Sequence, residues 1–214
     1  MSLPTLLKGL ARYTGGLDAE VTPGVDKQSN LLVAQGNPPY METRRRGEGW
    51  NVMTSTALTP LAALPTTAAH LEVYNNGSRL IVVSDLHVWR LLGTAVVLGE
   101  CLFAMITTKK AIPTLTAQVL YSMSGKPLIT PTATSEVVTG VGTSVIANGW
   151  QPYGFPSMTL NAATPGTGYS VPIDGKLQVP PGCSLCLELC ASVATASTFH
   201  IGCTFDLVTA TKEA

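Results

Sequence analysis

One stretch near the carboxy terminus narrows the fold more than any other. Phe199, Ile201, Cys203, Phe205 and Leu207 alternate with His200, Gly202, Thr204, Asp206 and Val208. A helix would scatter the five large side chains around its axis, whereas a strand turns every second residue to one face. The pattern predicts a core strand. Burying each large apolar side chain contributes about 1.5–3 kcal/mol before conformational costs, so such a strand needs neighbours to pair with and a second layer to cover it.

The residues upstream supply candidates for those neighbours. Leu185, Leu187 and Leu189 alternate with Cys186, Glu188 and Cys190, which again argues strand. Tyr169, Val171 and Ile173 alternate with Ser170 and Pro172 ahead of Asp174-Gly175, a good hairpin turn, with Leu177 and Val179 on the return path. Pro172 makes the first of these an edge strand, because proline donates nothing to a sheet ladder. Residues 71–74, the tight turn Asn75-Asn76-Gly77-Ser78 and residues 79–83 read as strand, turn, strand. Residues 101–108 and 117–123 are strand candidates, and residues 136–145, carrying Gly140 and Gly142, suggest a bent or bulged edge segment. Residues 86–98 fit a short helix or bent strands equally.

Many short strands between glycine- and proline-rich turns predict an all-β protein, a jelly-roll-like β-sandwich with an extended amino-terminal arm. An open barrel or an irregular prism would satisfy the same alternation, since strand order is not written in it. The arm is expected over residues 1–65 and the sandwich over 66–214. Leu3, Leu6, Leu7 and Leu10 fit one short amphipathic helix, after which Gly15-Gly16, Pro23-Gly24, Pro38-Pro39 and Gly47 interrupt regular structure. The opening lacks the charged start and continuous apolar centre of a signal peptide. No apolar run reaches the ~20 residues of a membrane-spanning helix.

Charge bounds the partners. Thirteen basic and thirteen acidic residues cancel, and the charged fraction of 12% is half the usual value of about 25%. Neutrality removes long-range attraction to nucleic acid, and a charge-poor surface suits homo-oligomeric contacts. Arg44, Arg45 and Arg46, followed by Trp50, form the one conspicuous basic run. Three arginines are a small footprint for phosphate binding, so they are expected on an inter-subunit arm.

No catalytic, cofactor or metal site is predicted. Extended geometry puts Cys186 and Cys190 on one face about 13 Å apart, too far to share a zinc ion, and five cysteines leave one unpaired in any disulfide scheme. Ser84, Asp85 and His87 have the residue types of a triad, but alternation sets Ser84 opposite the other two. Asp85 and Glu100 are expected as polar rim residues. Asn76 opens an N-G-S pattern that reads as a turn rather than a glycan acceptor. Trp150, Tyr153 and Phe155, in the loop 149–156, are expected to pack in the structure or at an interface, with glycan contact as the alternative.

The succession GYSVPIDGKLQVPPGCSLCLELCASVATASTFHIGCTFDLV, residues 168–208, resembles structural β-sandwich proteins carried on tailed-bacteriophage virions, particularly capsid cement or decoration proteins. The cysteine cluster and the amino-terminal arm depart from that pattern. The resemblance implies a non-enzymatic homotrimer on the outer capsid surface, seated across major capsid protein subunits and assembled in the host cytoplasm. It implies no specific nucleic acid and no membrane partner. A phage tail or receptor-binding protein recognising a host glycan or surface protein is the alternative.

Overall fold

The computed structural model describes residues 41–64, 68–92, 101–108, 118–140, 149–153, 168–191 and 198–209. All of them lie within one compact unit, residues 40–214. A short helix α1 (Met41–Arg45) precedes ten strands: β1 (Gly49–Met53), β2 (Leu71–Asn75), β3 (Leu80–Leu92), β4 (Cys101–Thr108), β5 (Leu120–Ser122), β6 (Val137–Gly140), β7 (Gln151–Tyr153), β8 (Gly168–Val179), β9 (Cys183–Cys190) and β10 (Thr198–Val208).

The strands form two antiparallel sheets, in the orders β5-β1-β10-β3-β8 and β6-β2-β9-β4-β7. Set β5 and β6 aside and eight strands remain, of which the first pairs with the last, the second with the seventh, the third with the sixth and the fourth with the fifth. That is the order produced by rolling up one long antiparallel hairpin, so the chain is a jelly-roll β-sandwich. The segment between β4 and β7 contributes β5 and β6, which extend the two sheets at their β1 and β2 edges.

Alternation explains the core. Phe199, Ile201, Cys203, Phe205 and Leu207 of β10 and Leu185, Leu187 and Leu189 of β9 are buried in one apolar cluster with Leu71, Val83, Leu86 and Leu102. Gly202 is dictated by close approach, since a Cβ there would meet the Val52 carbonyl oxygen at 2.3 Å.

Three expectations change. The arm expected over residues 1–65 ends earlier: β1 pairs with β10 from Gly49↔Asp206 to Met53↔Gly202, and Trp50 and Val52 are buried in the core. The sandwich therefore begins before the expected boundary at residue 66. Asp174-Gly175 does not reverse the chain. Both residues are left-handed, at φ 51° and 77°, yet β8 continues along β3, with Pro172 opposite Asp85 and Leu177 opposite Val83. Residues 173–176 are an excursion within one edge strand, matched on β3 by the extra residue Ser84. The turn after β2 forms as expected, but β2 and β3 join opposite sheets instead of pairing. The Asn75 amide holds that crossing, donating to the Arg79 and Val179 carbonyls at 2.7 and 2.8 Å.

Other expectations stand as read. β4 spans residues 101–108 and Pro172 lies on edge strand β8, while of the edge segment expected over 136–145 residues 137–140 form edge strand β6 and 141–145 lie outside the described residues. The undecided stretch from residue 86 is strand as far as Leu92, and the remainder to residue 98 lies outside the described residues, as does the amphipathic helix expected near the start. The segment expected as strand over 117–123 shortens to β5.

Candidate functional site

The basic run sits where the chain enters the sandwich. Arg44 and Arg45 close α1, where cations complement the carbonyl end of a helix, and Arg46 follows in the turn to β1. Thr43 donates its hydroxyl to Asp206 Oδ1 at 2.9 Å, and Arg44 Nη2 donates to Ser84 Oγ at 3.4 Å. The turn is tied to the sheet where Leu207 N–H donates to the Glu48 carbonyl at 2.9 Å. Arg44 is half-buried, while Arg45 and Arg46 are exposed. Arg44 thus fastens the entrance to β3, and only Arg45 and Arg46 keep the surface position expected of an interface residue.

Asp206 lies beneath this entrance with no exposed surface. Burial pushes its carboxyl above the ordinary aspartate value, aided by the negative charges of Glu48 and Asp85, while the Thr43 hydroxyl and Arg44 pull it back. At the same end, Arg79 donates to both oxygens of Glu136 at 2.7 and 2.6 Å and reaches Glu48 at 3.3 Å. The guanidinium holds the Glu136 carboxyl below the usual glutamate value, chiefly through those hydrogen bonds.

The aromatic candidates occupy different places. Trp50 is a core residue and leaves the interface set. Trp150 is half-buried and packs against Ala69, Met105 and Cys186 on the outer side of β9 and β4. Its indole nitrogen is buried, so the ring is inserted rather than offered as a platform. Tyr153 packs on the main core, its hydroxyl donating to Gln151 Oε1 at 3.2 Å. Phe155 lies outside the described residues.

The triad types do not assemble. His87 faces outward from β3 between two hydroxyls, Thr204 Oγ1 at 2.8 Å from Nε2 and Ser170 Oγ at 2.9 Å from Nδ1. Ser84 instead donates to the Thr204 carbonyl at 3.1 Å. Burial lowers the His87 imidazole, against the raising effect of Asp85. The arrangement ties β3, β8 and β10 together across the outside of the first sheet.

All five cysteines are free thiols. Register sets Cys101 directly opposite Cys190 on the outer side of the second sheet. Burial pushes the Cys190 thiol up to about 12, with Glu188 and Cys101 adding to the shift, and burial alone does the same for Cys203. Thiols held so far from ionisation are poor nucleophiles and poor ligands. Among the described residues no cluster of three or more His, Cys, Asp or Glu is placed to hold a metal ion.

Sequence reasoning missed a surface built at the β1 edge. Leu120 and Ile129 exchange backbone hydrogen bonds at 2.8 and 3.0 Å, closing a hairpin beside β1. Tyr121, Met123 and Leu128 project exposed from its outer side, beside Met53, while Ile129, directly opposite buried Leu120, is exposed on the other side. Four large apolar residues within nine positions around Gly125-Lys126-Pro127 were the available signal.

No family model and no curated protein matches this chain. Among solved structures, a chain from the three-dimensional structure of Cocksfoot mottle virus aligns over 92% of this chain and 98% of its own, at 10% identity and a TM-score of 0.20. A score at that level carries no weight for fold or role, and the jelly-roll assignment rests on strand order. That structure is of a plant virus, so it lends nothing to the tailed-phage lineage expected from residues 168–208.

Proposed function

We propose that this chain is a non-enzymatic structural subunit of a virion, and that copies of it build the shell. Strand order carries the reading: eight strands paired as a rolled hairpin form a stiff, closed-core block of a kind used for capsid domains, and the step from fold to role is an analogy. In this reading the arm expected at the amino terminus, whose residues 1–40 lie outside the described residues, would reach neighbouring subunits. Of the polar groups that looked like chemistry in the sequence, Ser84 and His87 serve as ties between strands.

The tailed-phage cement role is a narrower form of the same proposal, in which the shell belongs to another chain and this one binds across its subunits as a homotrimer. The stretch that suggested it spans β8, β9 and β10, which occupy ordinary jelly-roll positions. Those residues support a roll and do not separate cement from shell.

Expression of the full chain alone, followed by sedimentation and negative-stain electron microscopy, tests the proposal. Closed particles built from this chain are expected. A chain that forms no particles of its own and instead coats preformed shells of another capsid protein would transfer the proposal to cement, and one that does neither would overturn both.

A further inference from the structure

We propose that the hairpin at residues 120–129 is a docking surface for a second copy of this chain, an inference that rests on the shell reading and names its contact. Tyr121 is 56% exposed, Met123 44% and Leu128 57%, with Met53 beside them at 37%. At about 200 Å² for a large side chain, they leave roughly 390 Å² of apolar surface in water. A stable interface takes about 800 Å² from each partner, a little over half of it apolar, so this patch supplies most of the apolar share of one such face.

Register joins these residues into one surface: Tyr121, Met123 and Leu128 alternate away from the core side, where Leu120 and its directly opposite partner Ile129 lie. Asn51 pairs with Tyr121, which sets Tyr121 and Met53 diagonally adjacent on the outer side of β1 and β5. The hairpin is also rigid. Ser122 Oγ accepts the backbone N–H groups of Ser124 and Lys126 at 3.1 and 3.2 Å, and Met123 N–H donates to the Gly49 carbonyl at 2.9 Å. Leu120 anchors the base in the core. A loop fixed before docking loses little entropy on docking, so its apolar area is converted to affinity efficiently.

Charge selects the occupant. Lys126 is the sole charged residue between positions 120 and 129, and the chain as a whole is neutral. An acidic or basic partner would find little to pair with, whereas a second neutral copy approaches without repulsion and closed symmetry repeats the contact around a shell. The other exposed aromatic on the first sheet, Trp89, already lies over Gly168, where an added Cβ would meet the ring at 2.3 Å.

The test uses the full chain with Tyr121→Ser and Leu128→Ser together, compared with wild type by sedimentation velocity across a concentration series. Far-UV circular dichroism and the thermal midpoint report folding. The expected result is a folded variant whose self-association is weakened roughly tenfold or more. A photo-crosslinking residue at position 128 of otherwise wild-type chain gives a readout that does not depend on the variant folding, and intermolecular cross-links are expected. Undiminished self-association with no cross-link between copies would overturn the hairpin contact and leave the shell reading standing. Wild-type chain that stays monomeric throughout would overturn both.

Discussion

Strands β8 and β9 are neighbours in sequence, both alternate, and they meet opposite fates. β8 is the edge of the first sheet, and Gly168, Ser170, Pro172, Asp174, Lys176 and Gln178 are exposed along it. β9 is the centre of the second sheet, and every residue after Cys183 is buried on both faces. Alternation reports which side chains share a face and leaves the fate of the other face to the fold. On β8 that other face meets solvent. On β9 it carries Ser184, Cys186, Glu188 and Cys190 into the interior, where each polar group needs a partner. Ser184 donates to Glu72 Oε1 at 2.6 Å. Glu188 Oε2 accepts the His70 backbone N–H at 2.9 Å, and Oε1 lies 2.6 Å from His70 Nδ1.

The edge also shows why the sheet stops at β8. Pro172 offers no donor to an incoming strand, and the left-handed pair Asp174-Gly175 breaks the flat ribbon such a strand would need. Growth by edge-to-edge pairing is blocked there, which leaves side-chain surfaces such as the 120–129 hairpin for contacts between copies.

Substitutions on the two strands should separate them sharply. Leu187→Ala, on the inner face of β9, is expected to cost about 2–5 kcal/mol in chemical denaturation. A loss under 1 kcal/mol would contradict the central position of β9. On its outer face, Glu188→Ala should cost about 2–4 kcal/mol, because it strips a buried acceptor from His70, and Glu188→Gln should recover part of that loss by keeping an oxygen in place. Equal behaviour of the two variants would show that the hydrogen bond contributes little.

Two carboxyls make opposite pH predictions. Asp206 is raised in the folded chain, so its contribution to stability is greatest near and below the unfolded aspartate value of 3.8 and declines as pH rises through the folded value. Glu136 is lowered, so its contribution is present above the unfolded value of 4.5 and is lost as pH falls through the folded value. Asp206→Asn should remove the first dependence and retain the second in stability measured against pH, and an unchanged profile would refute the assignment. The smallest effect belongs to β8, where Gln178→Ala should stay within about 0.5 kcal/mol of wild type. A larger loss would mean that the outward face of the edge strand is covered.

Legibility in the sequence followed the same division. The inner faces of β9 and β10 were readable because five or three large residues in strict alternation have no helical solution. Trp50 and Val52 alternate too, but β1 is five residues long and sits among turn residues, so it passed for arm. Asp174-Gly175 misled because left-handed geometry is the same in a hairpin and in a strand excursion, and pairing with β3 decides between them. The outer face of β9 was unreadable for a related reason: what covers it, with Ala69 and Trp150 among the contributors, comes from residues far away in the chain. The exposed hairpin was the hardest to read, since an aromatic residue in a loop looks the same whether it inserts, as Trp150 does, or projects, as Tyr121 does.

The account stands most directly on whether this chain builds a shell. Electron cryomicroscopy of particles from the full chain, at a resolution that traces strands, measures it. The account predicts a closed lattice of jelly-roll subunits with the 120–129 hairpin at a contact between copies. Density for this chain only as isolated oligomers, or as a layer seated on a lattice made by another protein, would contradict it.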